Sequence, residues 1–201
     1  GTISYGGSCS SSTTSASSGS NSFTFNTLSE NTYSNCTITV TDTVSNASSA
    51  LSVNTFVVDT TAATVAEVTV VTTLSNDNTP SYTFSSNEAG TISYGGSCSS
   101  STTSATSGNN AIIFNALADG SYSNCTVKVT DNATNQSDTL SVSSFTIDTT
   151  APTVSSVSSS TTDGGYKLND SITITVTFND NVIVDNSSGN PRIELETGSN
   201  D

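Results

Sequence analysis

An internal repeat constrains this sequence more than any other feature. Gly1–Thr61 aligns with Gly90–Thr150 at a constant offset of 89 residues, and 39 of the 61 aligned positions are identical. This period is too long for one coil of a solenoid and suits an independently folding domain. We predict a partial domain at 1–61, a complete one at 62–150 and a partial one of a different repeat type at 151–201, together a window cut from a longer polypeptide.

Within the complete repeat, the residue pattern has a period of two. Six stretches rich in Val, Ile, Thr and Phe show it, and clusters of Gly, Asn, Asp and Pro separate them. No stretch has the 3.6-residue period of a helix. The pattern predicts an all-β fold of tandem immunoglobulin-like β-sandwich domains, with a closed barrel as the alternative. The predicted strands are Thr64–Thr73, Pro80–Ser85, Gly90–Tyr94, Asn110–Leu117, Tyr122–Thr130 and Ser137–Asp148.

The four cysteines occupy equivalent places in the two copies. Cys98 follows a predicted strand, and Cys125 lies in a later one on the same face as two neighbouring valines; Cys9 and Cys36 repeat this arrangement. We predict an intradomain disulfide in each copy, Cys9 with Cys36 and Cys98 with Cys125, with free buried thiols and intermolecular pairing as alternatives. Each bond would stabilise its copy by about 3 to 4 kcal/mol. The Ser99–Ser107 tract between the second pair is expected to be a mobile loop, with attachment of O-glycans as the alternative.

The segment before the second cysteine predicts a corner. Leu117–Tyr122 places a tyrosine after a turn, and in sandwich domains such a tyrosine folds its hydroxyl back onto the loop. The apolar positions change parity between Tyr122 and Cys125. We therefore expect an irregularity such as a bulge near Ser123 and Asn124.

Composition excludes several classes of function. The chain has 17 acidic residues against three basic ones, a net charge of −14 and no histidine. Without imidazole there is no Ser-His-Asp triad, Cys-His pair or His-ligated metal, and the acidic charge repels a phosphate backbone. No apolar run is long enough for a membrane span. We therefore expect no enzyme, no nucleic-acid binding and no membrane insertion in this segment.

Three passages resemble the bacterial immunoglobulin-like repeats of giant secreted adhesins and other large surface proteins. The first is the joint Asp148–Thr153, which is Asp59–Thr64 in the first copy, and the second is Asp119–Asp131. The third segment, Thr162–Phe178 followed by Pro191–Gly198, resembles a second kind of adhesin repeat. The cysteine pair is unusual for such repeats.

The resemblance implies a structural role. The modules would form a stalk or spacer that is exported, folds outside the cell, stays attached to its surface and projects a distal binding region. Their partners would be neighbouring domains of the same polypeptide. An acidic, hydroxyl-rich exterior suits such a stalk because it does not adhere to its neighbours. The alternatives are a subunit that self-associates into a filament, sheath or surface layer, and an adhesive module that binds glycans or proteins.

Acidic residues near the joints predict bound calcium. In a sandwich of this topology the incoming linker meets loops of the next domain, so Asp59 is expected to approach Glu88 and Asp131. Calcium binds six to eight hard oxygens, which carboxylates and nearby Asn, Thr or backbone oxygens can supply. The carboxylates expected at the second joint are Asp148, Asp180, Asp77 and Asp119.

Turn chemistry alone is the alternative to calcium. Asp59 and Asp148 would then begin turns, and Asp42 and Asp131 would accept backbone hydrogen bonds within a hairpin. No linear calcium-binding loop with alternating aspartates is present in the sequence.

Overall fold

A computed structural model describes residues 1–185 and 187–189 of the chain. These residues form sixteen β-strands and no helix. The chain divides into two compact units, Gly1–Asp148 and Thr149–Asp201. The first unit contains both copies of the repeat, and the domain boundary at residues 61 and 62 stays a prediction. Pro191–Gly198, one of the passages that resemble adhesin repeats, lies outside the described residues.

The first copy forms two small antiparallel sheets. Its strands are β1 (Thr2–Gly6), β2 (Asn31–Tyr33), β3 (Thr37–Thr41), β4 (Leu51–Ser52) and β5 (Phe56–Val58). One sheet has the order β1-β3-β4, and the other pairs β2 with β5.

The second copy forms three sheets. One has the order β10-β7-β6, a second has the order β13-β12-β8-β9, and the third pairs β11 with β14. All these pairs are antiparallel. The strands are β6 (Val65–Thr69), β7 (Ser81–Ser86), β8 (Gly90–Gly95), β9 (Ser104–Ala105), β10 (Gly108–Ile113), β11 (Gly120–Tyr122), β12 (Thr126–Asp131), β13 (Leu140–Ser141) and β14 (Phe145–Ile147).

The second unit contains one antiparallel strand pair among its described residues. β15 (Val154–Ser159) pairs with β16 (Ile174–Phe178), and every residue of β15 is exposed. At the base of the pair, the Thr153 N–H donates to Asn179 Oδ1 at 2.6 Å, and the Asn179 N–H donates to Thr153 O at 3.1 Å. These two bonds fix the entry into β15.

The all-β prediction of tandem immunoglobulin-like domains is confirmed. Two of the predicted strands, however, are each divided into two shorter strands. The long strand predicted at Tyr122–Thr130 is two strands, because β11 pairs with β14 whereas β12 pairs with β8 and β13. The break falls at Ser123–Cys125, where the parity change predicts an irregularity. The strand predicted at Ser137–Asp148 is likewise divided into β13 and β14.

The main hydrophobic core lies in the second copy. Its largest side chains are completely or almost completely buried because they alternate on strands that face one another. Each is at most 2% exposed; they include Tyr82, Phe84, Phe114, Phe145, Ile112, Ile147, Val127 and Val129. The first copy has a much smaller buried cluster of Cys9, Tyr33 and Cys36.

Each copy has the disulfide that its cysteines predict. Cys9 bonds to Cys36 and Cys98 bonds to Cys125, and their Cα atoms lie 5.4 Å and 5.2 Å apart. No free cysteine remains. The bonds are buried in both copies, so they connect the Ser/Thr-rich tract to the core.

The Ser99–Ser107 tract, expected to be a mobile loop, is held by a strand and by its own hydroxyl groups. β9 pairs with β8, and Ser100 Oγ donates to Ile113 O at 2.6 Å. The first copy repeats the second contact, since Ser11 Oγ donates to Thr24 O at 2.6 Å. Serine hydroxyls here satisfy backbone groups inside the copy, so the tract has fixed partners, and its mobility stays a prediction.

The tyrosine corner occurs in both copies. Tyr122 Oη donates to Ala118 O at 2.8 Å, and Tyr33 Oη donates to Ser29 O at 2.8 Å. The aromatic ring of each tyrosine stacks on a phenylalanine of the last strand of its copy, at a centroid distance of 5.2 Å in both cases. The corner therefore anchors a loop to the core through one side chain.

Candidate functional site: the linker between the first two copies

The linker between the two copies is fixed on the side of the first copy by a carboxylate. It runs from the end of β5 at Val58 to the start of β6 at Val65. Thr61 Oγ1 donates to Glu30 Oε2 at 2.6 Å, and Thr60 Oγ1 donates to the same oxygen at 3.1 Å. The hydrogen bond from Thr61, and then the one from Thr60, lowers the pKa of Glu30, so the acceptor stays ionised at neutral pH.

The same linker is fixed on the side of the second copy by burial and by backbone hydrogen bonds. Ala63 is 3% exposed and belongs to the core of the second copy. The Thr64 N–H donates to Asn87 Oδ1 at 2.6 Å, and the Asn87 N–H donates to Thr64 O at 3.2 Å. The linker is thus hydrogen-bonded to the first copy at one end and to the second copy at the other.

A turn of the second copy contacts the linker directly. Asp131 Oδ1 accepts hydrogen bonds from the N–H groups of Ala133 at 2.8 Å and Asn135 at 2.9 Å, and Oδ2 accepts one from Asn135 Nδ2 at 2.9 Å. Asn135 Nδ2 also donates to Asp59 O at 3.1 Å. Burial raises the pKa of Asp131, but the hydrogen bonds from Asn135 and Ala133 outweigh it and lower that pKa on balance.

Three carboxylates converge at this contact. Asp59, Glu88 and Asp131 each place a carboxylate oxygen within 4.8 Å of the others. Asp131 is buried, whereas Asp59 and Glu88 are half-buried. These are the three residues that the sequence predicts at the first joint. Three like charges at this separation repel one another, and their oxygens are the hard donors that a divalent cation prefers.

The hydrogen bonds expected from turn chemistry are also present. Asp59 Oδ1 accepts from the Thr61 N–H at 3.1 Å. In the first copy, Asp42 Oδ1 accepts from the N–H groups of Val44 at 2.9 Å and Asn46 at 2.8 Å, as Asp131 does in the second. The geometry of these aspartates is therefore compatible both with turn hydrogen bonds alone and with bound calcium. Calcium binding stays a prediction.

The carboxylates predicted at the second joint belong to both compact units: Asp77, Asp119 and Asp148 to the first and Asp180 to the second. Asp77 Oδ1 accepts from Thr79 N–H at 2.8 Å and from its Oγ1 at 3.0 Å, and the Asp148 N–H donates to Ser75 O at 2.9 Å. Asp180 belongs to the second unit, where its Oδ1 accepts from the Asn181 N–H at 2.6 Å. In the described part of the chain, Asp59, Glu88 and Asp131 are the one cluster of three acids.

Sequence reasoning missed Glu30 and Asn87, which hold the linker. The alignment of the two copies contains a signal for the first residue, because the position of Glu30 is acidic in both copies and is Asp119 in the second. The signal for Asn87 is weaker. Asn179 makes the equivalent hydrogen bond to the Thr153 N–H, but it lies in a segment of different sequence, so no alignment connects the two asparagines.

The fold and the linker define the class of this molecule: an all-β array of disulfide-bonded immunoglobulin-like domains. Residues 68–149, most of the second copy, match the family model of the bacterial Ig-like domain. The resemblance of the sequence to bacterial Ig-like repeats is therefore confirmed for this segment. No curated protein and no solved structure matches the chain.

The family match supports an extracellular module of a structural or adhesin type, and domains of this family are typically non-enzymatic. The two disulfides also favour an extracellular location, since such bonds persist in oxidising compartments. No helix long and apolar enough to cross a bilayer occurs in the described residues.

Proposed function

We propose that the chain consists of spacer modules in the stalk of a large extracellular bacterial adhesin or surface fibre. In this role the modules are secreted, stay attached to the cell surface and hold a distal binding region at a distance from it. Their direct partners are neighbouring domains of the same polypeptide. A spacer needs modules that resist unfolding and linkers that resist bending.

The observation that carries the proposal is the doubly anchored linker. Thr60 and Thr61 are bonded to Glu30 of the first copy, and Thr64 is bonded to Asn87 of the second. A linker that served only to tether two independent binding modules would need no such contacts, because a flexible connection suffices for that purpose.

Single-molecule stretching of the full chain from its termini tests this proposal. We expect the second copy to unfold in a discrete event. Its extended length should then stay below that of a fully stretched chain, because the disulfide closes a loop with a sequence separation of 27 residues. Reduction should add about 90 Å of extension per copy. Extension without any discrete event, at forces that merely stretch an unfolded chain, would contradict a mechanical role.

Hydrogen exchange tests the linker itself. Replacing Glu30→Ala removes the acceptor of both threonine hydroxyls, so the amides of Thr61–Thr64 should exchange severalfold faster. Thr43→Ala, in the exposed turn after β3, is the matched control and should leave these amides unchanged. Equal exchange rates in the two variants would mean that the contacts of Glu30 do not stiffen the linker.

We further propose that a calcium ion binds at Asp59, Glu88 and Asp131 and tightens the contact between the two copies. The proximity of the three carboxylates supports this, because a divalent cation would relieve their repulsion. A second ion at Asp148, Asp180, Asp77 and Asp119 is a proposal of the same kind without a comparable cluster to support it.

Calorimetric titration of the full chain with calcium chloride tests the first ion site. We expect saturable binding of one ion and a higher melting midpoint, both lost in Glu88→Gln. Asp138→Asn, which alters an exposed acid outside the cluster, should bind as the unchanged chain does. A melting midpoint that is the same with calcium and with chelator would contradict the calcium site. Turn hydrogen bonds alone would then account for Asp59 and Asp131.

A further inference from the structure

β6, the first strand of the second copy, lies at the edge of its sheet. It has five residues and, in the described part of the chain, pairs with β7 alone. The edge strands of the other sheets of this copy, β9, β11, β13 and β14, have only two or three residues each. We call the side of β6 that faces away from β7 the free edge. The unpaired N–H and C=O groups along such an edge can bind a strand of another molecule.

The opposite edge of the same sheet is covered by the chain itself. β10 is the edge strand there, and the Ser99–Ser107 tract is hydrogen-bonded near both of its ends. Ser100 Oγ donates to Ile113 O at 2.6 Å, and the Thr106 N–H donates to Asn110 Oδ1 at 2.8 Å. A strand of another molecule would have to displace this tract before it could pair with β10.

The sequence of β6 favours pairing with a further strand. Val65–Val71 reads Val-Ala-Glu-Val-Thr-Val-Val, which is rich in β-branched residues and has one charge. Val68 is 47% exposed and Val70 is 51% exposed. Short segments of this composition associate edge to edge when they are exposed. A chain that carries this segment on a free edge needs a feature that opposes pairing.

The one charge of the segment, Glu67, points to the interior of the sandwich. Glu67 is paired with Phe84, which is 0% exposed, so both side chains lie on the inner face of the sheet. The carboxylate accepts hydrogen bonds from Ser143 Oγ at 2.5 Å and from the Ser143 N–H at 2.9 Å. Burial, and then the charge of Glu67, raises the pKa of Tyr82, which also faces the core. The carboxylate is thus fixed on the inner side of the free edge.

A strand docked on the free edge would bury this carboxylate. Glu67 is half-buried, and Ser143 donates two of the about four hydrogen bonds that a carboxylate can accept. Burial raises the pKa of Glu67, but the hydrogen bonds from Ser143 outweigh it, so the group is ionised at neutral pH. Taking an ionised carboxylate out of solvent without new partners is strongly unfavourable, and this cost opposes docking.

A bulge in β6 opposes pairing in a second way. The register with β7 shifts between Glu67 and Thr69, so Val68 has no partner on β7. A bulge bends the strand and increases its twist. The N–H and C=O groups of the free edge therefore lack the regular spacing that a second strand needs.

We propose that Glu67 and the bulge at Val68 keep β6 from pairing edge to edge with β6 of a second copy of the chain. Glu67 is the central residue of the strand, so symmetric antiparallel pairing would place two carboxylates opposite each other and add repulsion to desolvation. Chains that lie side by side at high density then stay separate along this edge. The inference does not rest on the stalk role, because it concerns association of chains that are not under tension.

Analytical ultracentrifugation of the full chain tests the proposal. With Glu67→Val, we expect self-association to be about tenfold stronger, or more, than that of the unchanged chain. Glu67→Gln nearly keeps the shape of the side chain and removes its charge, so it should also strengthen association. In both variants, hydrogen exchange should show new protection of β6 that increases with chain concentration.

Two further variants separate the charge of Glu67 from other effects. Asp163→Asn removes one exposed acid from the second unit and should associate no more strongly than the unchanged chain. Ser143→Ala removes one hydrogen bond to Glu67 and leaves its charge, so it should behave in the same way. If either control associates as strongly as Glu67→Val, net charge or looser packing is the cause and the proposal is wrong.

Exchange of the core strand β12 shows whether the second copy stays folded in these variants. The amides of Val127 and Val129 should remain as slow in Glu67→Val as in the unchanged chain, since both side chains are 0% exposed. If they become fast, Glu67→Gln, the smaller change, decides the matter. A folded Glu67→Gln chain that associates no more strongly than the unchanged chain, or that gains protection only outside β6, overturns the proposal.

Discussion

The two copies of the repeat are nearly the same sequence in two different surroundings. Both keep the disulfide, the tyrosine corner and the serine that bonds to the backbone across the copy. Among the described residues, β6 and β7 pack with the second copy, and the central aromatic core is buried there. The disulfide, the corner and the serine contact are therefore set by local sequence, whereas burial of the core also requires the strands that pack over it, β6 and β7.

The largest difference between the copies should appear when the central phenylalanine is removed. Phe114→Ala deletes a ring that is 1% exposed, and we expect a loss of about 3 to 5 kcal/mol in the free energy of unfolding of the second copy. Phe25→Ala should cost clearly less in the first copy because its ring is half-buried. Urea unfolding followed by hydrogen exchange of copy-specific peptides measures both. Equal losses would mean that the aromatic cluster of the first copy is as well packed as the core of the second.

Removal of the disulfides should affect the copies to different extents. Replacing Cys98 and Cys125 by alanine should destabilise the second copy by about 3 to 4 kcal/mol and leave it folded, since its core has many other members. The same change at Cys9 and Cys36 removes two of the three residues of the small buried cluster. We expect the first copy to lose its cooperative transition, as followed by the same copy-specific exchange. A first copy that still melts cooperatively would show that its remaining aromatic contacts suffice.

A glycine beside each disulfide should respond equally in both copies. Gly96 has a φ of +71° and Gly7 a φ of +74°, and an added Cβ would collide with the carbonyl oxygen of Asn124 or Asn35. Alanine at either position should cost about 1 to 3 kcal/mol, because the strained backbone and the collision do not involve β6 or β7. Gly108→Ala is the control, since its φ of +105° is strained but no atom lies within 4 Å. Thermal melts of the three variants should therefore show the smallest loss for Gly108→Ala.

The smallest effect is the pH dependence that Glu67 contributes to the second copy. Burial raises the pKa of Glu67, but hydrogen bonds from Ser143 Oγ at 2.5 Å and Ser143 N–H at 2.9 Å more than offset this and lower it. A carboxyl whose folded pKa lies below its unfolded value stabilises the fold above the unfolded pKa and loses that contribution as pH falls. Melting midpoints of the second copy should thus decline between about pH 6 and pH 3, and less so in Glu67→Gln. The same decline in both forms would assign it to other carboxyls.

Much of the architecture follows from the sequence because its causes are local. The period of two predicts strands, and the parity change before Cys125 predicts the break between β11 and β12. The position of Asp59 in the linker predicts its approach to Glu88 and Asp131 once a sandwich topology is assumed.

The remaining features depend on contacts that no local pattern encodes. Val40 and Val129 are the same residue in the same strand pattern, yet one is exposed and the other is buried. Glu30 and Thr61 are distant along the chain, and nothing in either segment alone marks them as partners. The Ser99–Ser107 tract pairs with β8 and hydrogen-bonds to Ile113. A low-complexity composition therefore does not by itself imply a lack of fixed contacts.

The hydroxyls of Ser11 and Ser100 also limit how the chain can be decorated. Both donate to a backbone carbonyl of their own copy, so a sugar or phosphate attached to either oxygen would remove that hydrogen bond. A group added there before folding would force a carbonyl to lose its partner. We therefore expect a modification at either serine to weaken the attachment of its Ser/Thr-rich tract to the rest of the copy.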